Sequence, residues 1–387
     1  MKHMRRDSIF LALRQSALYT VVILALAICL PSVVNAQVPP NVPSAYQPIY
    51  SELLNYLNNF NATLPPGSNP AYPTVMSINL TAADSNVGPQ LVSGLPAVQP
   101  GQTQQPPLNI QLELNALKAM GVQAVMVEVG FPMLYEPFLS GQGQTYSSFV
   151  TYYQAVANAV RAAGLKLIVE NDTLLTNSDE AGWDVAPFYA TLDWNSYQQA
   201  RAQTAVTIAQ TMHPDYLVVL QEPNTEYDNS LQPNVITVNG SMSLLSTILT
   251  AVQQAGVPNM KVGAGTGTAQ VNPSAMSFIS QYVTLPLDFI DFHIYPINGN
   301  NLPIAQQIVA TAAAYNKPVA MTECGLWKVL DTELPVLTPD EIRSRNPFDF
   351  WGPLDAYFFQ TMQAFANSAQ MLFLDPFGAE YFFTYLP

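Results

Sequence analysis

Two glutamates stand at the ends of short apolar runs and could do chemistry together. In Lys317-Pro-Val-Ala-Met-Thr-Glu-Cys-Gly-Leu-Trp-Lys328, a lone carboxylate, Glu323, follows an apolar run and precedes a glycine and a tryptophan. Pro318 and Gly325 bracket the run too tightly for a helix, and a proline is allowed where a strand starts. Asp215-Tyr-Leu-Val-Val-Leu-Gln-Glu-Pro223 repeats the design: an apolar run, then Gln221 and Glu222, then a proline that stops the strand. Parallel strands place such ends on one rim. A carboxyl pair on one rim can protonate a glycosidic oxygen with one group while the other attacks the sugar or activates water, which is glycoside hydrolysis.

Further polar side chains can be assigned to the same rim. Alternation along Phe289-Ile-Asp-Phe-His-Ile-Tyr-Pro296 puts Asp291, His293 and Tyr295 on one face and Ile290, Phe292 and Ile294 on the other. The helix-facing side of a parallel strand is apolar, so the polar face must look into the mouth of a barrel. There Tyr295 could donate to Glu323, and His293 could hold a sugar hydroxyl or the acid/base residue. Asn79, Glu128 and Asn171 extend the rim at the ends of the first three runs. Trp327 lies four residues past Glu323, where its indole face could stack on a sugar ring. Trp183, Trp194 and Trp351 also flank long loops but serve equally well as core. Competing chemistries find little support. Past residue 36 only His213 and His293 remain, without an H-E-x-x-H motif or paired cysteines, so no zinc site is expected. No G-x-S-x-G elbow occurs, no cofactor is implied, and Cys324 reads as packing against the helices.

The elements that must position these groups form an alternating series. Apolar runs at Thr74–Leu80, Val122–Val129, Leu165–Glu170, Tyr216–Glu222, Lys261–Gly265, Phe289–Tyr295, Val319–Glu323 and Met371–Leu374 make eight strands. Segments with helical spacing separate them, such as Phe149, Tyr153, Val156 and Val160. Gly121, Gly164, Pro214, Gly256 and Pro318 each stop a helix just before a strand. Eight such units predict a (β/α)8 barrel, the α/β class with a closed parallel sheet. An open doubly wound sheet is the alternative. It is disfavoured because Gly263-Ala-Gly-Thr-Gly267 lies in the fifth unit and does not complete a phosphate loop. Those glycines read instead as places where a neighbour or substrate comes close. The last unit leaves room only for a short helix, Ala379 to Tyr385, and Tyr381 to Tyr385 is an alternative eighth strand.

Composition sets the compartment and excludes partners. Residues 1–36 have a basic start (Lys2, Arg5, Arg6), an apolar run from Ala17 to Leu30 and a small-residue site at Val34-Asn35-Ala36, which reads as a cleavable secretory signal. The run is short of the roughly 20 residues a spanning helix needs. The expectation is therefore an exported protein, extracellular or periplasmic, beginning at Gln37, without stable membrane insertion and acting as a monomer. Residues 37–73 form a Pro- and Asn-rich lead-in with one helix, Ile49 to Phe60, and residues 74–387 form the barrel. Without residues 1–36 the chain holds 9 basic and 26 acidic side chains, a formal balance of −17. That charge repels nucleic acid and anionic membranes and does not penalise a neutral polysaccharide. Only Cys324 would remain, so stability must come from core burial.

With these residues in place, the sequence resembles the large clan of retaining (β/α)8 glycoside hydrolases, clan A, whose acid/base ends the fourth strand and whose nucleophile ends the seventh. The likeness covers the layout from Thr74 onward, and its motifs are Glu222-Pro223, His293-x-Tyr295 and Thr322-Glu323-x-Gly325. It implies Glu222 as acid/base, Glu323 as nucleophile and Tyr295 as the nucleophile's hydrogen-bond partner. The clan's asparagine before the acid/base, which binds the sugar 2-hydroxyl, is replaced by Gln221, one methylene longer. Its tryptophan after the eighth strand is missing, with Phe377 the nearest aromatic. The implied activity is a secreted β-glycosidase of the endo-mannanase, galactanase or glucanase kind; a transglycosidase or a non-catalytic polysaccharide-binding barrel are the alternatives. An ionised Glu323, held by Tyr295, is expected to raise the pKa of Glu222 and keep it protonated.

Overall fold

The computed structural model describes residues 38–65, 74–98, 102–176, 182–346 and 348–376. Residues 1–36, read from the sequence as a signal, lie outside them, as do Phe377, the short helix expected at 379–385 and the alternative eighth strand at 381–385. Eight parallel strands close in sequence order into a barrel: β1 Val75–Asn79, β2 Ala124–Glu128, β3 Lys166–Glu170, β4 Tyr216–Val218, β5 Lys261–Gly267, β6 Phe289–Ile294, β7 Val319–Cys324 and β8 Phe373–Leu374. β8 pairs with both β7 and β1, which settles the eighth strand at Phe373–Leu374 among the described residues. The closed order also excludes the open doubly wound sheet.

The inward-facing residues change character along each strand, and this change builds the site. Ala124 and Met126, Ile168, Tyr216 and Val218, Phe289, Ala320 and Phe373 pack into one apolar cluster. Two residues further along the same strands come Glu128, Glu170, Asp291 then His293, Thr322 and Asp375, all buried. Outward residues such as Val125, Val127, Leu167, Val169, Ile290, Phe292 and Ile294 join the larger core beneath the helices. A period of two thus gives β2, β3, β6, β7 and β8 an apolar back, an apolar lower interior and a polar upper interior, whereas β4 continues with the apolar Leu220. Long helices such as Tyr146–Ala162, Trp194–Met212 and Val238–Ala255 cover the apolar backs.

The lead-in helix runs from Gln47 to Thr63, longer than expected at both ends, and packs on the helix Gly352–Ser368. Tyr50 stacks on Trp351, which is fully buried. Tyr56 donates to Asp331 at 2.9 Å, and Glu52 accepts the Asp331 backbone N–H at 2.9 Å. The helix therefore fastens the long loop that follows β7. Among the described residues no helix is long and apolar enough to cross a membrane.

Candidate active site

β4 and β7 deliver the two glutamates by different local devices. The β4 ladder stops at Val218, earlier than the apolar run suggests, and Glu222, with extended backbone, is the N-cap of a helix, Pro223–Ser230. Pro223 suits the first helical turn because its missing N–H would have no partner there. On β7 the register with β6 slips: Asp291 pairs with Ala320, yet His293 pairs with Glu323. One extra residue is thereby accommodated on β7, the arrangement of a bulge, which re-aims side chains. Val319 and Met321 face the helices, and strict alternation would send Glu323 the same way. The slip brings both Thr322 and Glu323 to the interior.

His293 is the centre of the assembly. Its Nδ1 lies 3.1 Å from Glu222 Oε1 and 3.4 Å from Glu323 Oε2. Two oxygens held at those distances from one atom are at most about 6.5 Å apart. On the other side of the ring, Nε2 meets Thr322 Oγ1 at 2.8 Å. Thr322 directs its hydroxyl to Asp291 Oδ2 at 2.7 Å, and its backbone N–H donates to Asp291 Oδ1 at 3.0 Å. Since that hydroxyl hydrogen is used, Nε2 must be the donor to Thr322. Tyr295 donates to Glu323, and Gly325 leaves room for the Tyr295 ring, which a Cβ there would meet at 2.5 Å. Gly267 does the same for Glu222, whose Oε1 would lie 2.6 Å from a Cβ. The glycine-rich β5 is thus explained by close approach, not by phosphate binding.

The protonation pattern differs from the sequence-based expectation. Burial and the charge of Glu222 push Glu323 up to about 7, against the pull of His293 and the Tyr295 hydroxyl. Burial also acts to raise Glu222, but the bond and charge of His293, with the Thr225 hydroxyl at 2.5 Å, outweigh it and hold Glu222 below the usual carboxylate range. Without substrate the proton therefore sits toward Glu323, the reverse of what like-charge repulsion alone implied. The imidazole between the two carboxyls is the reason. Burial works against the charged imidazole, but Glu323, Asp291 and Glu222 raise its pKa well above the ordinary histidine value.

The remaining candidates separate into two groups. Asn79 donates to Glu128 Oε1 at 2.7 Å, so this pair faces the mouth beside Glu323. Gln221 is buried, with its Nε2 lacking a protein partner. Trp327 is half-buried with its ring 5.9 Å from that of Tyr295, whereas Trp183 and Trp194 pack on Phe138, Phe149 and Tyr197. Asn171 does not reach the cleft. It is fully buried, accepts from Arg201 Nη1 at 2.7 Å and donates to the Val129 carbonyl at 2.8 Å. Its side chain is consumed by a buried arginine that sequence reasoning passed over.

Arg201 braces the acid/base segment. It forms a two-pronged pair with Glu226 (3.1 and 2.9 Å) and bonds the carbonyls of Asn171 and Val219 at 2.8 and 3.0 Å. Tyr197 donates to the same Glu226 at 2.6 Å. The helix that starts at Glu222 is thereby locked to the ends of β3 and β4. Sequence offered no cue, because Gln198-Gln-Ala-Arg201 looks like the solvated face of a helix. Asp291 was expected on the inward face but without a role, and Thr322 and Glu170 were given no place in the site. For Asp291 and Glu170 the signal was present in strand parity, while the place of Thr322 depends on the bulge. Two trios, Glu170 with Asp291 and His293, and Glu128 with Glu170 and Glu323, bring potential metal-ligand atoms within 4.8 Å of one another.

Burying so many carboxyls gives stability a definite pH dependence. Burial raises Glu128, Glu170 and Asp375 well above the usual range. A carboxyl whose folded pKa exceeds its unfolded value binds more protons in the native state, so stability falls as pH climbs toward the folded value. His293, also raised, loses its contribution in the same direction. Glu222 alone among these opposes the trend. The melting temperature is expected to rise between about pH 8 and about pH 5. Scanning calorimetry across that window checks it, and a melting temperature that falls on acidification contradicts the assignment.

A closed parallel barrel with a carboxyl pair at the C-terminal ends of its strands is the architecture of a glycosidase. Residues 177–340, which hold both Glu222 and Glu323, match the family described as glycosyl hydrolase catalytic core. The protein is a glycosidase, and the resemblance to the clan A barrels stands. Solved structures similar to the chain include the Ignisphaera aggregans GH53 catalytic domain, at 15% identity and TM-score 0.49, over 81% of this chain and 87% of that one. A β-glucosidase from Thermotoga maritima in complex with castanospermine is similar at 12% identity and TM-score 0.48, over 79% and 89%. A β-glucosidase from Exiguobacterium marinum is similar at 10% identity and TM-score 0.46, over 79% and 88%. No curated protein sequence matches the chain.

Proposed function

We propose that this glycosidase cleaves β-linked poly- or oligosaccharides with retention, Glu323 attacking the anomeric carbon and Glu222 serving first as acid and then as base. The observation that supports this most is the shared contact of both carboxyls with one nitrogen of His293. It keeps their nearer oxygens within about 6.5 Å, where a retaining pair needs roughly 5 to 5.5 Å and an inverting pair roughly 6.5 to 9.5 Å to seat a water. Before attack the proton must leave Glu323 for Glu222, and His293 Nδ1, in contact with both, is the path. Glu222 then protonates the leaving oxygen as Glu323 bonds to C1. Loss of the Glu323 charge lets Glu222 deprotonate the incoming water, and the second displacement frees Glu323.

The half-buried Trp327 beside Tyr295 supports a sugar-stacking wall and a mannan-, galactan- or glucan-like substrate. A screen of β-mannan, β-galactan and β-glucan for released reducing ends tests the reading, with the first-formed anomer followed by NMR. Release of the β-anomer is expected. The α-anomer would mean inversion, and binding without turnover on every glycan would favour the polysaccharide-binding barrel. We also infer export, on the signal-like anatomy of residues 1–36. Mass spectrometry of the exported protein should find Gln37 as the first residue; an intact Met1 in the membrane fraction would refute this.

A further inference from the structure

The side of the mouth formed by β1, β2 and β3 is built of acceptors with too few donors. Burial and the charges of four other carboxyls, Asp84, Asp172, Glu323 and Glu170, act together on Glu128, although Asp84 Oδ1 also accepts from Asn86 at 2.8 and 3.0 Å. Oxygens of Glu128, Glu170 and Glu323 lie within 4.8 Å of one another. Both oxygens of Glu170 are buried without a hydrogen-bond partner. Thr322 is close to Glu170, but its one hydroxyl hydrogen goes to Asp291 at 2.7 Å. A second and independent sign is uncharged. Asn79, 4% exposed, has its amide on Glu128 through Nδ2, and its Oδ1 is a buried acceptor with no protein donor.

Positive charge is spoken for elsewhere. Arg201 is spent on Glu226, Asn171 and the Val219 carbonyl, and His293 is spent on Thr322 and Glu222. Glu170 is within 3.9 Å of His293 Nε2, but that N–H already points at Thr322. Buried carboxylates are ordinarily paired; here His293 and Arg201 act on Glu170 and Asp172 without a direct hydrogen bond, and burial leaves Glu128 and Glu170 raised, holding protons that a bound cation can displace. The pocket is still reachable: Glu128 is 8% exposed, Glu323 is 15% exposed at its side chain, and Asp84 and Asp172 are half-buried.

We propose that the pocket formed by Glu128, Asn79, Asp84 and Asp172, backed by the buried Glu170, binds a protonated amine, so that the glycan unit entering the barrel is a 2-amino sugar. This rests on Glu323 being the nucleophile. A group this close to the attacking oxygen lies beside C1, and the nearest substituent it can meet is the one on C2. An ammonium there supplies three N–H donors to the orphan acceptors and a positive charge that takes the place of the protons held by the crowded carboxyls. A neutral hydroxyl supplies one donor and no charge. The crowding of carboxyls and burial that push Glu128 well above the usual range are what a bound cation relieves. A divalent ion held by Glu128, Glu170 and Glu323 would also neutralise the pocket but would occupy the nucleophile, so it is treated as a competing outcome.

The test uses the full protein in a metal-free buffer. Dissociation constants are measured for glucosamine, galactosamine and mannosamine against glucose, galactose and mannose, with N-acetylglucosamine as a control of similar shape and no charge. At least one amine is expected to bind about tenfold or more tightly than its neutral parent, the worth of one charge-assisted hydrogen bond. That advantage should shrink several-fold in Glu128→Gln and in Glu170→Gln, and N-acetylation should abolish it. The inference is overturned if no amine outbinds its parent in the wild-type protein, or if the advantage survives both substitutions. It is also overturned if calcium alone raises the melting temperature through Glu128 and displaces the amine. Amine selectivity without hydrolysis of any glycan would leave the inference standing and remove the proposed function; turnover of neutral β-glycans without amine selectivity would do the opposite.

Discussion

Glu323→Ala is expected to lower turnover by about 10⁴-fold or more, the scale seen when a group that forms the covalent intermediate is removed. Azide should restore activity, because the small anion fits the space vacated by the carboxylate and attacks C1 directly, giving the α-azide from a β-linked substrate. Glu222→Ala should lose about 10² to 10⁴ on substrates with poor leaving groups, the usual worth of general acid catalysis. It should lose far less in the first step when the leaving group needs no proton, and azide should then yield the β-azide. Product stereochemistry therefore assigns the two roles independently of rate. The unliganded protonation order makes this assignment worth testing, since Glu222 is held low and Glu323 is raised to about 7. Azide products with the opposite anomeric configurations would exchange the roles of the two residues. Near wild-type activity in both variants would remove the mechanism.

Arg201→Ala should be the most damaging single change away from the reacting groups. It leaves Glu226 buried and charged, leaves Asn171 Oδ1 and two backbone carbonyls without a donor, and opens a cavity beside Phe131, whose ring lies 5.8 Å from the guanidinium. Breaking one side of a buried pair costs about 3 to 5 kcal/mol. Replacing both partners, as in Arg201→Met with Glu226→Leu, removes the orphan charge and should recover much of the loss in denaturant unfolding. Activity gives a second readout. The helix at Glu222 depends on this brace, so the double variant should fold yet work poorly, with kcat reduced more than KM is raised. A double variant with full activity would show that the brace serves stability alone.

Much of this protein was legible without a structure because its strands obey a strict parity. Apolar runs bounded by glycine and proline announced eight strands, and alternation placed Asp291 and His293 inward and Ile290, Phe292 and Ile294 outward, as they are found. The same rule put Asn79 and Glu128 at the rim. Alternation is a local property of an extended backbone, so sequence spacing carries it. The site depends on departures from that rule. Counted from Val319 and Met321, Glu323 should face the helices, and only the slip between Asp291 and His293 turns it inward. The pairing of two strands fixes such a slip, so the sequence of either strand alone cannot announce it. Asn171 obeyed the local signal and still missed the cleft, because Arg201 reaches it from a helix 30 residues later in the chain. The proton order of the two glutamates was likewise out of reach. It is set by burial, which acts to raise both carboxyls, and by the His293 and Thr225 hydrogen bonds that hold Glu222 low, a balance that only the closed barrel assembles.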